Sequence, residues 1–144
     1  MAERSIRDII EGQDVLTIQV TATVAKAADL MKARGVGAIL VLEGVNLVGI
    51  FTERDALYRV VAEGRDPTTA QIAEVMTANP TTVHPDSAFS NALEIMHVGR
   101  FRHVPVVDQG RPIGMVSSLD AMGPELEQFM YAVIVEEQTR DILA

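Results

Sequence analysis

The 144-residue sequence has no cysteine and no tryptophan, and only two tyrosines and four phenylalanines. Without cysteine there can be no disulfide framework, no thiolate zinc site and no cysteine nucleophile. Basic residues are also scarce: twelve Lys and Arg face twenty Asp and Glu, leaving a formal charge of −8 at pH 7. Such a surface repels phosphate backbones, which argues against a nucleic-acid binder or a partner of anionic membranes. No apolar run approaches the roughly 18 to 20 residues of a membrane-spanning helix. The opening Met1-Ala2-Glu3-Arg4-Ser5-Ile6-Arg7-Asp8 lacks the basic flank and apolar stretch of a secretory signal, so a cytoplasmic location is expected. His84, His97 and His103 are not spaced for a shared metal site. What the chain does have is 48% hydrophobic and 22% charged residues, the proportions of a soluble globular protein with a sizeable core.

The sequence repeats itself. Shifted by 65 positions, Thr17 falls on Thr82, Ala27 on Ala92, Met31 on Met96, Val41 on Val106, Gly49 on Gly114 and Asp55 on Asp120, without a gap. The apolar runs Ile39-Leu40-Val41-Leu42 and Val104-Pro105-Val106-Val107 align with them. Each copy begins with a short extended piece, Leu16 to Val20 or Thr81 to Val83. A helix follows, capped by Thr21 or Thr23 in the first copy and by Asp86 or Ser87 in the second. Helical spacing predicts an inward face of Val24, Ala27, Ala28 and Met31 in one copy and of Phe89, Ala92, Leu93 and Met96 in the other. Two β-branched runs then turn at Glu43-Gly44 and at Asp108-Gln109-Gly110, as antiparallel neighbours do. A second helix is expected over Glu53 to Ala62, ended by Gly64; its counterpart starts at Asp120-Ala121-Met122 and is interrupted by Gly123-Pro124. After Pro124, Leu126, Phe129, Met130, Val133 and Ile134 recur at helical spacing and need cover, which points to a dimer through helices. The expected divisions are residues 5–64, 71–123 and 124–144.

The chemistry concentrates in Gly49-Ile50-Phe51-Thr52-Glu53-Arg54-Asp55 and Gly114-Met115-Val116-Ser117-Ser118-Leu119-Asp120. Each places a hydroxyl where a strand gives way to a helix and an Asp three residues later. Two readings are open: a capping box with Asp in place of Glu, or a carboxylate positioned to accept both hydroxyls of a ribose. Arg100, Arg102 and His103 make a small basic cluster in an acidic chain, suited to a few phosphates.

The duplicated Gly-x-x-Thr/Ser-x-x-Asp ending and the run Arg102-His103-Val104-Pro105-Val106-Val107-Asp108 resemble a tandem pair of cystathionine β-synthase (CBS) domains, over roughly Ser5 to Met122. The resemblance implies an α/β (α+β) fold: two β-α-β-β-α CBS repeats packed with pseudo-twofold symmetry, plus a C-terminal helix. It implies a regulatory, non-catalytic module whose clefts between repeats take AMP, ADP, ATP, NAD or S-adenosylmethionine. Carried over by position, Asp55 and Asp120 are the ribose carboxylates, Thr52 and Ser117 the adjacent hydroxyls, and Leu16 and Thr81 border the adenine. Ala38 and His103 match before the central strand. Arg102, His103 and Arg54 are the phosphate candidates, while Gly37-Ala38 in the first copy departs from the basic pair. A homodimer, a nucleotide ligand without a catalytic cofactor, and a regulated protein partner are the expected associations; a dimerisation module with empty clefts is the alternative. Kinship with inosine monophosphate dehydrogenase, in which such pairs are inserts, implies no dehydrogenase activity, because the chain has neither the barrel nor the cysteine.

Overall fold

Apolar residues at alternating and at three-to-four-residue spacing sort the chain into the strands and helices of a computed structural model that describes residues 4–143, the last three by backbone alone. In order, these are α1 (Ile6–Ile10), β1 (Thr17–Gln19), α2 (Val24–Arg34), β2 (Ala38–Glu43), β3 (Asn46–Thr52), α3 (Glu53–Asp55), α4 (Ile72–Val75), β4 (Thr77–Ala78), α5 (Phe89–Gly99), β5 (His103–Asp108), β6 (Arg111–Ser117) and α6 (Pro124–Leu143). The mixed α/β architecture and the C-terminal helix expected from the sequence are both present.

Two compact units form. One draws on Gln13–Pro80 and Val107–Gly114. Its sheet runs β1-β2-β3-β4, with β1 parallel to β2 and the other neighbours antiparallel. Helix α2 starts where the Thr23 side chain accepts from the Lys26 amide at 3.2 Å. It ends at Gly35, whose φ of 66° suits a residue without Cβ. Val24, Ala27 and Met31 turn into a core with Ile39, Val41, Phe51, Val60 and Ile72. Ala28, expected on that face, is exposed. The helix expected over Glu53 to Ala62 is α-helical only through Asp55 and continues as a π-helix from Ala56 to Val61.

The other unit draws on Met1–Gly12, Thr81–Val106 and Met115–Ala144. Helix α1, capped by Ser5, places Ile6 and Ile10 in a core with Phe89, Leu93, Met96, Val104, Val106 and Val116. Helix α5 buries Phe89, Ala92, Leu93 and Met96 as expected, but neither Asp86 nor Ser87 caps it. Its N-cap is Ala88, without a side-chain bond. The backbone ahead is held by His84 instead, whose Nδ1 accepts from the Asp86 amide at 3.1 Å and whose carbonyl accepts from the Ser87 amide at 3.0 Å.

The two copies differ at the first strand for a covalent reason. In the first copy the Leu40 amide donates to the Leu16 carbonyl at 3.1 Å. The residue matched to Leu40 is Pro105, which has no amide hydrogen. The ladder therefore shrinks to one parallel bridge, Val83 to Val106, with Val83 N–H donating to Pro105 at 3.0 Å. A second difference follows Asp120. No helix starts there: Ser118–Asp120 is a single 3-10 turn, Ala121 is extended, and α6 begins at Pro124. Proline disfavours helical backbone in the residue before it, and Gly123 sits at φ 52°.

Phe51 and Phe89 are the largest fully buried side chains of the two cores. Phe51→Ala and Phe89→Ala are each expected to lower stability by about 3 to 5 kcal/mol, read as a shift of the urea unfolding midpoint.

Candidate functional site

Both copies end a strand on a hydroxyl residue and close a capping box on the following Asp. At the end of β3, the Thr52 hydroxyl accepts from the Asp55 amide at 3.2 Å, and Asp55 Oδ2 accepts from the Thr52 amide at 3.0 Å. At the end of β6, Asp120 Oδ2 accepts from the Ser117 amide at 2.8 Å, and Ser117 Oγ accepts from the Leu119 amide at 3.2 Å. Of the two open readings the capping box is thus realised twice, which leaves the remaining carboxylate capacity as the question for ligand chemistry.

A matched backbone bond joins each turn to the start of the central strand. Glu53 N–H donates to the Gly37 carbonyl at 3.0 Å, and Ser118 N–H donates to the Arg102 carbonyl at 3.1 Å. In the first unit Ala38 pairs with Thr52 across β2 and β3, and the Leu16 carbonyl lies on the same edge through its bond from Leu40. Leu16, Ala38, Thr52 and Asp55 are therefore gathered at one end of one sheet. In the other unit His103 opens β5, half-buried, with exposed Arg102 before it; exposed Thr81 lies two residues before the bridge at Val83.

The polar surroundings are unequal. Asp55 is 8% exposed and receives more than its cap. The Thr77 hydroxyl donates to it, 3.2 Å from Oδ1, and Arg59 Nε stands 3.6 Å from the same oxygen. Gly49 makes room for this. A Cβ there would collide with the Met76 sulfur and come within 3.1 Å of the Thr77 carbonyl. Arg54 is exposed, its guanidinium 5.4 Å from the Tyr58 ring centre. Glu53 lies against Gly37, where a Cβ would meet its Oε1 at 3.0 Å. The first copy thus has a carboxylate beside the position that holds Arg102 in the second.

Asp120 is half-buried, and among the described residues its Oδ1 accepts no hydrogen bond. Its carbonyl accepts from Arg4 Nη2 at 2.7 Å. Arg4 also pairs with Glu125 at 2.5 Å and lies 5.3 Å from the Phe89 ring centre. Glu125 Oε1 in turn accepts from the Met122 amide at 3.2 Å. Arg100, grouped by sequence with Arg102 and His103, pairs at 2.8 Å with Glu136 of α6, which narrows the basic spot to the other two.

Arg4, Arg59, Thr77 and Glu125 lie outside the sequence motifs, and Glu53 lies inside one at a position the motif leaves variable. For Arg59 a signal existed: the 65-residue register places Pro124 opposite it, so this position breaks the repeat. Nothing local marks Arg4, which acts across more than a hundred residues. Among the described residues no group of three or more His, Asp or Glu could hold a metal ion, and no helix is long and apolar enough to cross a membrane.

Two copies of one strand-turn-carboxylate frame define a duplicated fold, and comparison with known proteins identifies the family. A family model for the CBS domain matches residues 6–62 and 72–123. The CBS domain-containing protein YhcV of Bacillus subtilis is 36% identical over 113 residues, 78% of this chain and 79% of its own. The crystal structure of the CBS-domain containing protein ATU1752 from Agrobacterium tumefaciens matches with a TM-score of 0.75 at 33% identity, covering 81% of this chain and 95% of that one. PAE2072 from Pyrobaculum aerophilum, complexed with AMP, shares the fold at 22% identity with a TM-score of 0.78, over 89% of this chain and 99% of that one. The chain spans about a fifth of the Arabidopsis thaliana CBS domain-containing proteins it matches. The chain belongs to the CBS domain family, whose members are regulatory ligand-binding modules.

The Arg4 bond holds the Glu125 carboxyl below its ordinary value, against a smaller opposing effect of burial. A carboxylate depressed in the folded state contributes stability above its unfolded value of 4.5, and loses it as pH falls through the folded value. Arg4 is raised, so its share stays constant across acid and neutral pH. Glu125→Gln is expected to lower stability at pH 7 by about 1 kcal/mol, a figure reduced for the partial exposure of Arg4. Urea unfolding of both proteins at pH 7 and at falling pH below 4.5 checks this: the gap between them narrows as the Glu125 carboxyl takes up its proton.

Proposed function

We propose that the protein is a non-catalytic sensor of adenosine-containing nucleotides, with its principal site at the Ser117–Asp120 turn. The observation that carries this reading is the Asp120 carboxylate. One oxygen is spent on the capping box and the other accepts no hydrogen bond among the described residues, on a turn tied by a backbone bond to Arg102 and next to His103. A carboxylate so placed can accept from both hydroxyls of a ribose while Arg102 and His103 meet phosphate. Thr81 then borders the base, and Ser117 stands beside the ribose. In the first copy, Asp55, Thr52, Leu16 and Ala38 present the same frame with Arg54 as its phosphate candidate. That the fold holds AMP in the Pyrobaculum protein makes AMP the first ligand to test, ahead of ADP, ATP, NAD and S-adenosylmethionine.

Such binding regulates a partner only if the ligand favours one of two states of the module. We place the protein in the cytoplasm as a homodimer. The half-exposed Leu126, Met130 and Ile134, four residues apart on α6, supply an apolar stripe that a second copy can cover. The closed surroundings of Asp55 favour a second reading, a dimerisation module without a ligand.

Calorimetric titration separates the two. AMP is expected to bind the native protein, and Asp120→Asn, which keeps an acceptor for the Ser117 amide, should weaken it at least about tenfold. Arg102→Ala should weaken AMP and ATP while leaving adenosine nearly unchanged. No heat with any of the five ligands would leave the dimerisation module. Independently, Met130→Glu is expected to convert the dimer to a monomer, measured by light scattering after gel filtration.

A further inference from the structure

We infer that Asp55 is a latched counterpart of Asp120: the Thr77 hydroxyl and the Arg59 guanidinium hold the carboxylate that a ribose would otherwise engage, and Glu53 bars phosphate from the same copy. The inference rests on the reading of Asp120 as a ribose-binding residue.

A carboxylate offers about four acceptor positions. At Asp55 the Thr52 amide takes one on Oδ2, and Thr77 Oγ1 sits 3.2 and 3.4 Å from the two oxygens, across the pair that a vicinal diol would bridge. Arg59 closes Oδ1 from the helix side at 3.6 Å. It is held there by a second bond, from Nη1 to the Met76 carbonyl at 2.7 Å, so the guanidinium spans Asp55 and the segment that carries Thr77. The π-helical turn that begins at Ala56 carries Arg59. At Asp120 only the Ser117 amide reaches the carboxylate among the described residues.

The repeat itself shows that the latch belongs to one copy. In the 65-residue register Arg59 stands opposite Pro124, which has no donor and opens α6. Glu53 stands opposite Ser118, and Gly37, against which the Glu53 carboxylate lies, stands opposite Arg102. Across the matched turns, Glu53 in place of Ser118 and Gly37 in place of Arg102 exchange a cation for a carboxylate, and the helical turn that carries Arg59 past Asp55 has no counterpart after Asp120, where the backbone is extended. A ligand entering the first copy would have to displace a hydroxyl and a guanidinium and approach a carboxylate with its phosphate. This copy therefore stays empty at ligand concentrations that fill the other.

The test counts ligands. AMP titrated into the native full chain is expected to bind one per chain. In the triple variant Thr77→Val, Arg59→Met, Glu53→Ser, which keeps the shape of Thr77 and the apolar stem of Arg59, it should bind two. Adding Asp120→Asn to the triple variant should leave one, and adding Asp55→Asn as well should leave none. If the triple variant proves unstable in thermal unfolding, Thr77→Val with Glu53→Ser should still tighten a second, weak site at least about tenfold. One AMP per chain in all folded latch variants overturns the latch and leaves the Asp120 reading standing. So do two per chain in the native protein, with Asp55→Asn removing one. No binding to native protein or any variant overturns both readings.

Discussion

The hydrogen bond from a backbone amide at the end of a strand to an aspartate three residues later is the interaction on which both halves of this chain turn. Asp55 meets the Thr52 amide and Asp120 meets the Ser117 amide, and each bond fixes where a strand stops and where a carboxylate stands. An amide freed at the strand end would otherwise need water or another acceptor, since an unpaired backbone donor costs about 1 to 3 kcal/mol when buried. The capping box and the ligand reading are therefore not rivals. The fold spends one carboxylate oxygen on its own backbone, and what the second can do is set by neighbours that the frame does not prescribe.

Those neighbours are where the copies diverge. The backbone bonds from Glu53 to Gly37 and from Ser118 to Arg102 are matched, so the geometry of turn and strand start is kept while the side chains change sign. Asp55 and Ser118 are the two buried polar residues of the described chain, at non-equivalent positions of the same motif. Burying a carboxylate is costly unless donors surround it, and Asp55 has Thr52, Thr77 and Arg59. Asp120 is only half-buried, and a carboxylate that solvent can reach does not need such company. Burial and closure go together at one aspartate, exposure and availability at the other.

Much of this frame was legible in the sequence because local rules write it there. The strand runs around Val41 and Val106, the helix faces of Val24 and Phe89, and the turn residues Gly44 and Gly110 each follow from periodicity or from a positive φ that glycine tolerates. The 65-residue register made the two aspartates stand out. What stayed hidden depends on residues far apart in sequence. Helix α1 fills the core beside Phe89 and Val116, and no periodicity in five residues says which core they enter. Arg4 reaches Asp120 and Glu125 across the length of the chain. The shift from α- to π-helix after Asp55 and the cap by Ala88 are set by packing and by His84, where propensity alone favours other answers.

The same distance effects tie the Asp120 turn to the C-terminal helix. Arg4 donates at once to the Asp120 carbonyl and to Glu125 in the first turn of α6, and Glu125 accepts the Met122 amide between them. Gly123 and Pro124 set the turn apart from α6, and Arg4 ties the two together in polar contacts beside the core in which Ala121 is buried and against which Phe129 packs. With Arg4 in place, a displacement of the turn must either carry α6 with it or break a charge-assisted bond, the stronger kind of hydrogen bond. The exposed Leu126, Met130 and Ile134 lie on this same helix, so the bond that ties the Asp120 turn to Glu125 also ties it to the element that carries them.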